Sequence, residues 1–340
     1  KDRVLRGSRD GFVETLVSNA ALLRRRIRDP RFSMELYGVG RRSRSDVAIC
    51  YISDSVDQSV LNRMRKLIQS IDVDALTMNI ESLAECMFTH KWINPFPKFK
   101  YSERPDTATA AILDGNIVIM VDNSPAVMII PASIFDIIEE ADDFNFSPMI
   151  GSYLRITRFF FSIVTWILTP LWLLFVNNPD WVPEFMKFVL ITDDITVPVL
   201  LQLLILELAV DGLKLAAVNT PTMLSTPLSI VAGIVVGEYA VSSGWFNPEA
   251  LLYMAVVTVG TYGQTNFEMG YAFKFLRVLT LILTQIFNLG GFIAGVVISV
   301  LMIAFNRTIT GKSYIYPLIP WDGKMLKRKV LRVRLPHSYK

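Results

Sequence analysis

The run from Phe159 to Val176, FFFSIVTWILTPLWLLFV, decides how the rest of the chain is read. It has no charged side chain and about the ~20 residues that a helix needs to cross a bilayer. Arg155 and Arg158 stand just before it, which places its start on the cytoplasmic side. Pro170 lies inside the run, and membrane helices tolerate a proline because neighbouring groups satisfy the freed backbone.

Outward from this run the two sides differ in kind. Charged residues crowd the part before Arg158, and the other long apolar runs all follow it. A chain of 340 residues has room for one soluble and one membrane domain. The expected architecture is a soluble α+β amino-terminal domain over 1–150, an all-α helical transmembrane domain over 151–306, and a basic cytoplasmic tail over 307–340.

The formal charge of +3 conceals opposite excesses. Basic residues dominate up to Arg44, acids dominate from Asp46 to Asp143, and the tail after Arg307 is basic again. Basic ends flanking apolar spans follow the positive-inside rule, so a lipid bilayer is the expected partner and nucleic acid is not. Cys50 and Cys86 show neither metal-ligand spacing nor a disulfide framework. The first residue is Lys1 rather than methionine, so a truncated start is expected.

Within the soluble half, residues 11–29 read as a helix capped by Asp10, with Phe12, Leu16, Ala20, Leu23 and Ile27 on one face and Pro30 as its stop. Its Arg24, Arg25 and Arg26 are read as a solvated face, with phosphates or lipid headgroups as the alternative. Asp46 to Ser53 is predicted to be a strand, Val56 to Ile71 an amphipathic helix and Ile80 to Phe88 a shorter one. Trp92 to Tyr101, with Pro95 and Pro97, is expected to be an ordered connector. Asp114-Gly115 and Asn123-Ser124-Pro125 then separate Ala110 to Leu113, Ile117 to Val121 and Val127 to Ile130, which predicts a three-stranded meander.

Beyond the first span, Asn177 to Asp194 has Lys187 as its only base against Asp180, Glu184, Asp193 and Asp194 and carries Trp181, as expected of the far interface. Ile195 to Val210 is short and interrupted by Pro198 and Glu207, so it is predicted to be re-entrant. Pro227 to Ser242, Glu249 to Tyr262 and Val278 to Phe305 complete four full spans. The last is overlong and offers a break at Asn288, Leu289, Gly290 and Gly291. Gly233 and Gly237 have the spacing that permits close helix contact. This topology leaves Lys274 and Arg277 on the outer side.

An ionisable residue inside a span costs roughly 2.5 to 3.5 kcal/mol on insertion scales, so Glu207, Asp211 and Glu238 are the candidate ion-path residues. Glu207 and Asp211 share a helix face, and Lys214 offers a local partner for Asp211. Carboxylates from several subunits would make a cation-attracting ring, and one chain with so few spans would need an oligomer to enclose a pore. His90 and His337 form no catalytic arrangement, and no H-E-x-x-H, C-x-x-C or nucleotide motif is present. No enzyme activity, cofactor or metal is expected. No inverted pair of broken helices supports a secondary transporter.

Several blocks carry a family resemblance: Gly11 to Glu14 with Asn19 and Leu23 to Arg26, Pro95 to Pro97, Glu103 to Asp106, Val121 to Pro125, then Val197, Pro198, Glu207, Asn219 to Pro221, Gly233, Gly237, Gly244 and Pro317. Together they resemble the A-subunit family of bacterial spore germination receptors over nearly the whole chain. Asp180 to Pro183 and Gly237 to Val241 look closer to a sporulation-protein branch of that family than to a nutrient receptor subunit, where Gln more often stands at Glu238. The resemblance implies a multi-pass protein of the spore inner membrane whose copies assemble as a pentamer into a channel for monovalent cations. It also implies an amplifying role beside a small membrane partner and other germination proteins. The alternative is a non-conducting scaffold or signalling subunit of a receptor assembly.

Overall fold

The structure, a computed structural model, describes residues 8–88, 94–219, 233–264, 266–311 and 313–333. They form two compact units, one of the described residues up to 156 together with those from 303 onward, the other of those between 157 and 302.

The first unit is built on five antiparallel strands, β1 (Phe32–Val39), β2 (Ser45–Ile52), β3 (Lys100–Ser102), β4 (Ile117–Val121) and β5 (Val127–Ile130), in the order β1-β2-β4-β5-β3. Side chains alternate across a strand, and here both faces are covered. Val47, Ile49, Ile117, Ile119 and Met128 pack against α2 (Gln58–Gln69) and α3 (Ile80–Met87). Ala48, Cys50, Val118, Met120 and Ile129 pack on the other face against α1 (Leu16–Arg26) and α4 (Pro105–Leu113). Two buried faces explain why β4, β5 and the stretch Val47 to Ile52 of β2 are buried throughout and apolar without interruption. Each fully buried Val, Leu or Ile contributes about 1.5 to 3 kcal/mol.

The α+β expectation holds, and four details change. Residues 110–113 are not a strand but the end of α4. Pro105 and Asp106 start that helix, Ala108 and Ile112 bury one face, and Asp114 and Gly115 (φ 88°) close it. The meander is therefore the single hairpin β4–β5, turned by Asn123 at φ 60°. The first helix begins at Leu16, behind Thr15, while Asp10 pairs instead with Arg25 at 2.7 Å and Arg26 at 3.3 Å. Strand β1, which sequence reading passes over, is an edge strand whose half-exposed residues give no clean alternation.

Residues 303–333 belong to the same compact unit as 8–156 rather than standing apart. The helix Gly323–Val330 is held through Arg155, which is 1% exposed. Arg155 pairs with Glu139 at 3.0 Å and Asp143 at 3.3 Å, and donates to the carbonyls of Arg328 at 2.9 Å and Lys329 at 3.1 Å. Lys329 in turn pairs with Asp136. Burial alone would lower the Lys329 pKa, but the Asp136 and Glu139 carboxylates outweigh it and hold the ammonium above its ordinary value.

The second unit is helical. We label its helices in chain order after two short ones, α5 (Ile134–Ile138) and α6 (Asp142–Asn145): α7 (Pro148–Asn177), α8 (Val199–Asn219), α9 (Pro248–Tyr262) and α10 (Phe267–Ala304). Among the described residues α7 and α10, the latter taken as 38 residues across a break at Asn288, are long and apolar enough to cross a membrane. Residues 195–198 are not helical, and the expected short segment runs on as the 21 residues of α8. Most of the expected span 227–242 lies outside the described residues or in a six-residue π-helical turn, Ile234–Tyr239.

Helix α10 is two helices folded back on each other. Asn288 breaks it at φ 52°, ψ −130°. A Cβ added at Gly295 would lie 2.8 Å from Thr280 Cγ2, although residues 15 apart in a straight helix stand ~22 Å apart. The break expected at 288–291 is therefore a hairpin turn, closed by Gly291 and Gly295. Close packing at glycine also occurs at Gly260, where a Cβ would lie 2.6 Å from Thr165 Cγ2. At Gly233 and Gly237 it would meet nothing within 4 Å among the described residues.

Candidate functional site: a charge cluster among the apolar helices

Glu207 and Asp211 lie one turn apart on α8 and face the first half of α10, where Lys274 and Arg277 are three residues apart. Arg277 Nε donates to Glu207 Oε1 at 2.5 Å, and its Nη1 donates to the Thr165 carbonyl of α7 at 2.5 Å. Lys274 Nζ pairs with Asp211, donates to the Glu207 carbonyl at 3.1 Å and stands 3.5 Å from Glu207 Oε2. Arg277 and Glu207 are 3% and 5% exposed at their side chains. A buried charge persists only when paired and hydrogen-bonded, and this arrangement supplies both.

Lys214 does not form the expected local pair with Asp211. Its ammonium stands over the rings of Tyr262 at 5.2 Å and Tyr271 at 5.4 Å, a cation–π arrangement. A cavity of about 80 Å³ opens between these groups, lined in part by Glu207, Asp211, Lys214, Gln264 and Tyr271. Among the described residues Asp211 Oδ1 and Gln264 Oε1 are buried without a hydrogen-bond partner, and a space of that size accommodates water-sized occupants.

The structure thus brings two of the three sequence-identified acids together and leaves the third apart. Glu238 is exposed on the π-helical turn, and among the described residues no ion pair joins it to the cluster. Lys274 and Arg277, the two bases that sit awkwardly with the sequence-derived topology, are the partners of Glu207 and Asp211. The signal was present as complementary spacing, acids four apart on one helix and bases three apart on another. Thr165 and Gln264 carried no such signal. Two carboxylates face three cations, so the cluster does not offer a bare acidic ring. Among the described residues no group of three His, Cys, Asp or Glu is arranged to hold a metal. His90 and His337 lie outside the described residues, and both cysteines are free thiols.

Comparison with known proteins covers the chain from end to end. The Bacillus/Clostridium GerA spore germination protein family matches residues 1–340. Stage V sporulation protein AF of Bacillus subtilis is 38% identical over 335 residues, 98% of this chain and 68% of that protein. Spore germination protein GerLA of Bacillus cereus is 28% identical over 97% of this chain and 67% of its own length. The chain thus spans about two thirds of the length of these relatives. Among solved structures, the N-terminal domain of the A subunit of the Bacillus megaterium spore germinant receptor GerK3 aligns at 32% identity with 35% of this chain and 94% of that domain, with a TM-score of 0.29. This chain belongs to the Bacillus/Clostridium GerA spore germination protein family.

Proposed function

We propose that this protein is a multi-pass subunit of a spore inner-membrane assembly that conducts monovalent cations during germination, acting as a homo-oligomer of pentamer type beside a small membrane partner. The observation that carries this reading is the buried cluster Glu207, Asp211, Lys274 and Arg277 between apolar helices. Ionisable groups at such depth are costly and mark ion pathways. In this reading the pairs hold the acids neutralised in the closed state, and opening separates them. Glu238, exposed within one subunit, is free to face a neighbouring copy and contribute to a ring of carboxylates. In this reading the soluble unit and the segment 303–333 lie on the core side, which the basic residues after Arg307 support through the positive-inside rule.

The test is potassium flux through liposomes holding the verified oligomer, with and without the small partner. Flux that falls in Glu207→Gln and changes rate or selectivity in Glu238→Gln supports conduction. No flux under either condition overturns it.

One observation favours a second reading, a non-conducting scaffold. The acids on α8 are already compensated, as purely structural charges would be. Ion release from spores separates the two: loss with Glu207→Gln and Glu238→Gln, but not with surface changes in the soluble unit, excludes the scaffold.

A further inference from the structure

The last residue of α10 is Ala304, and the chain then passes directly along the wall of a cavity of about 660 Å³ within the first unit. That volume lies in the range of small-molecule sites, roughly 300 to 1,000 Å³. Arg63 of α2, Lys98 and Arg307 line it, and among the described residues lining it none carries a carboxylate. Arg63 and Arg307 are exposed and form no ion pair among the described residues. Lys98 Nζ donates to the Arg307 carbonyl at 2.9 Å, which brings its ammonium to the Arg307 position.

A second, independent feature lies in the wall of the same cavity. Asn306 is 3% exposed, and neither its amide nitrogen nor its amide oxygen has a hydrogen-bond partner among the described residues. Buried polar groups are nearly always satisfied, and this amide, in a residue that lines the cavity, has both a donor and an acceptor left to satisfy. The apolar side is equally placed. Leu67 lines the cavity, and Phe305 is 79% exposed one residue beyond the apolar helix.

We infer that this cavity binds a phosphate-bearing anion, and that its source is the headgroup of an anionic phospholipid. Guanidinium groups offer paired N–H donors that match phosphate oxygens, with the Lys98 ammonium as a third charge. The Asn306 amide supplies a neutral donor, and its oxygen accepts from a headgroup hydroxyl. Phe305 and Leu67 meet the start of the acyl chains. Basic pockets beside the ends of membrane helices recognise anionic headgroups through this chemistry. The site is separate from the charge cluster of the helical unit and does not depend on conduction.

The test is native mass spectrometry of the full chain in detergent, titrated with phosphatidylglycerol, phosphatidylcholine or inorganic phosphate. The expected result is retention of one phosphatidylglycerol per chain, with preference over phosphatidylcholine, and an affinity at least tenfold weaker in the Arg63→Gln, Arg307→Gln double variant. Both arginines are exposed, so the variant keeps the fold. Asn306→Asp, which sets a carboxylate against the phosphate at constant size, weakens binding as well, whereas Arg28→Gln on the opposite side of the sheet leaves it unchanged. Equal retention of the two lipids, or phosphatidylglycerol binding unmoved in both cavity variants, overturns the site. Saturable inorganic phosphate with no retention of phosphatidylglycerol overturns the lipid source.

Discussion

Arg277 reaches across 70 residues of sequence to Glu207 and binds its carboxylate at 2.5 Å, with both side chains almost wholly buried. The same guanidinium holds the Thr165 carbonyl, so one side chain ties α7, α8 and α10 together. A pair of this kind is weak evidence for net stability, yet breaking it is severe. The surviving charge is left buried and unpaired, at roughly 3 to 5 kcal/mol.

Arg277→Gln is accordingly expected to lower the thermal unfolding midpoint of the detergent-solubilised protein markedly. Glu207→Gln combined with Arg277→Gln restores much of the loss, because no isolated charge remains. A double variant as unstable as the sum of the single ones contradicts a direct pair.

The hairpin in α10 is testable by cross-linking. With Cys86→Ser removing the exposed thiol, Thr280→Cys and Gly295→Cys are expected to form an intramolecular disulfide on mild oxidation, since their Cβ positions adjoin. A straight helix holds these positions ~22 Å apart and gives no cross-link. Gly295→Val, by overfilling the contact with Thr280, is expected to cost about 1 to 3 kcal/mol.

Arg155→Met removes the cation that Glu139, Asp143 and the carbonyls of Arg328 and Lys329 share. The helix Gly323–Val330 should then detach more readily. Limited trypsin digestion reads this as faster cleavage at Lys324, Lys327 and Arg328, while sites in α2 are cut at the wild-type rate. Unchanged cleavage after Lys327 excludes the clasp.

The soluble unit carries its own pH signature. Arg65 hydrogen-bonds Glu35 at 2.9 and 2.5 Å, and this, with the Tyr51 and Tyr37 hydroxyls, outweighs partial burial and brings the carboxyl down to about 2. A depressed carboxylate stabilises the fold above its unfolded value near 4.5, and that contribution is lost as pH falls toward 2. Glu35→Gln should therefore be less stable than wild type by roughly 1.5 to 3 kcal/mol at pH 7, with the gap closing between pH 4.5 and 2. A gap independent of pH in chemical denaturation contradicts the assignment.

The division into an α+β half and an apolar helical half was legible in the residues themselves, because transfer free energy and backbone preference are local. Phe159 to Val176, the strands around Ile49 and Ile119, and the break at Asn288 all state their nature within a few neighbours. Residues 110–113 misled for the same reason. Ala-Ala-Ile-Leu fits strand or helix, and Pro105 with the packing of Ala108 and Ile112 decides for helix. The resemblance to the GerA family was likewise readable, since it rests on blocks spread over the whole chain.

What the residues alone left open is everything set by the rotation of one element against another. Glu207 and Asp211 announce two buried acids, but whether they meet water, a pore axis or Lys274 and Arg277 depends on how α8 and α10 turn about their axes. That choice sums many weak contacts, including those that fold α10 back at Gly291 and Gly295, and no short stretch contains it. The Asn306 cavity is of the same kind: Arg63 and Arg307 come from opposite ends of the chain, and only tertiary packing sets them on one wall.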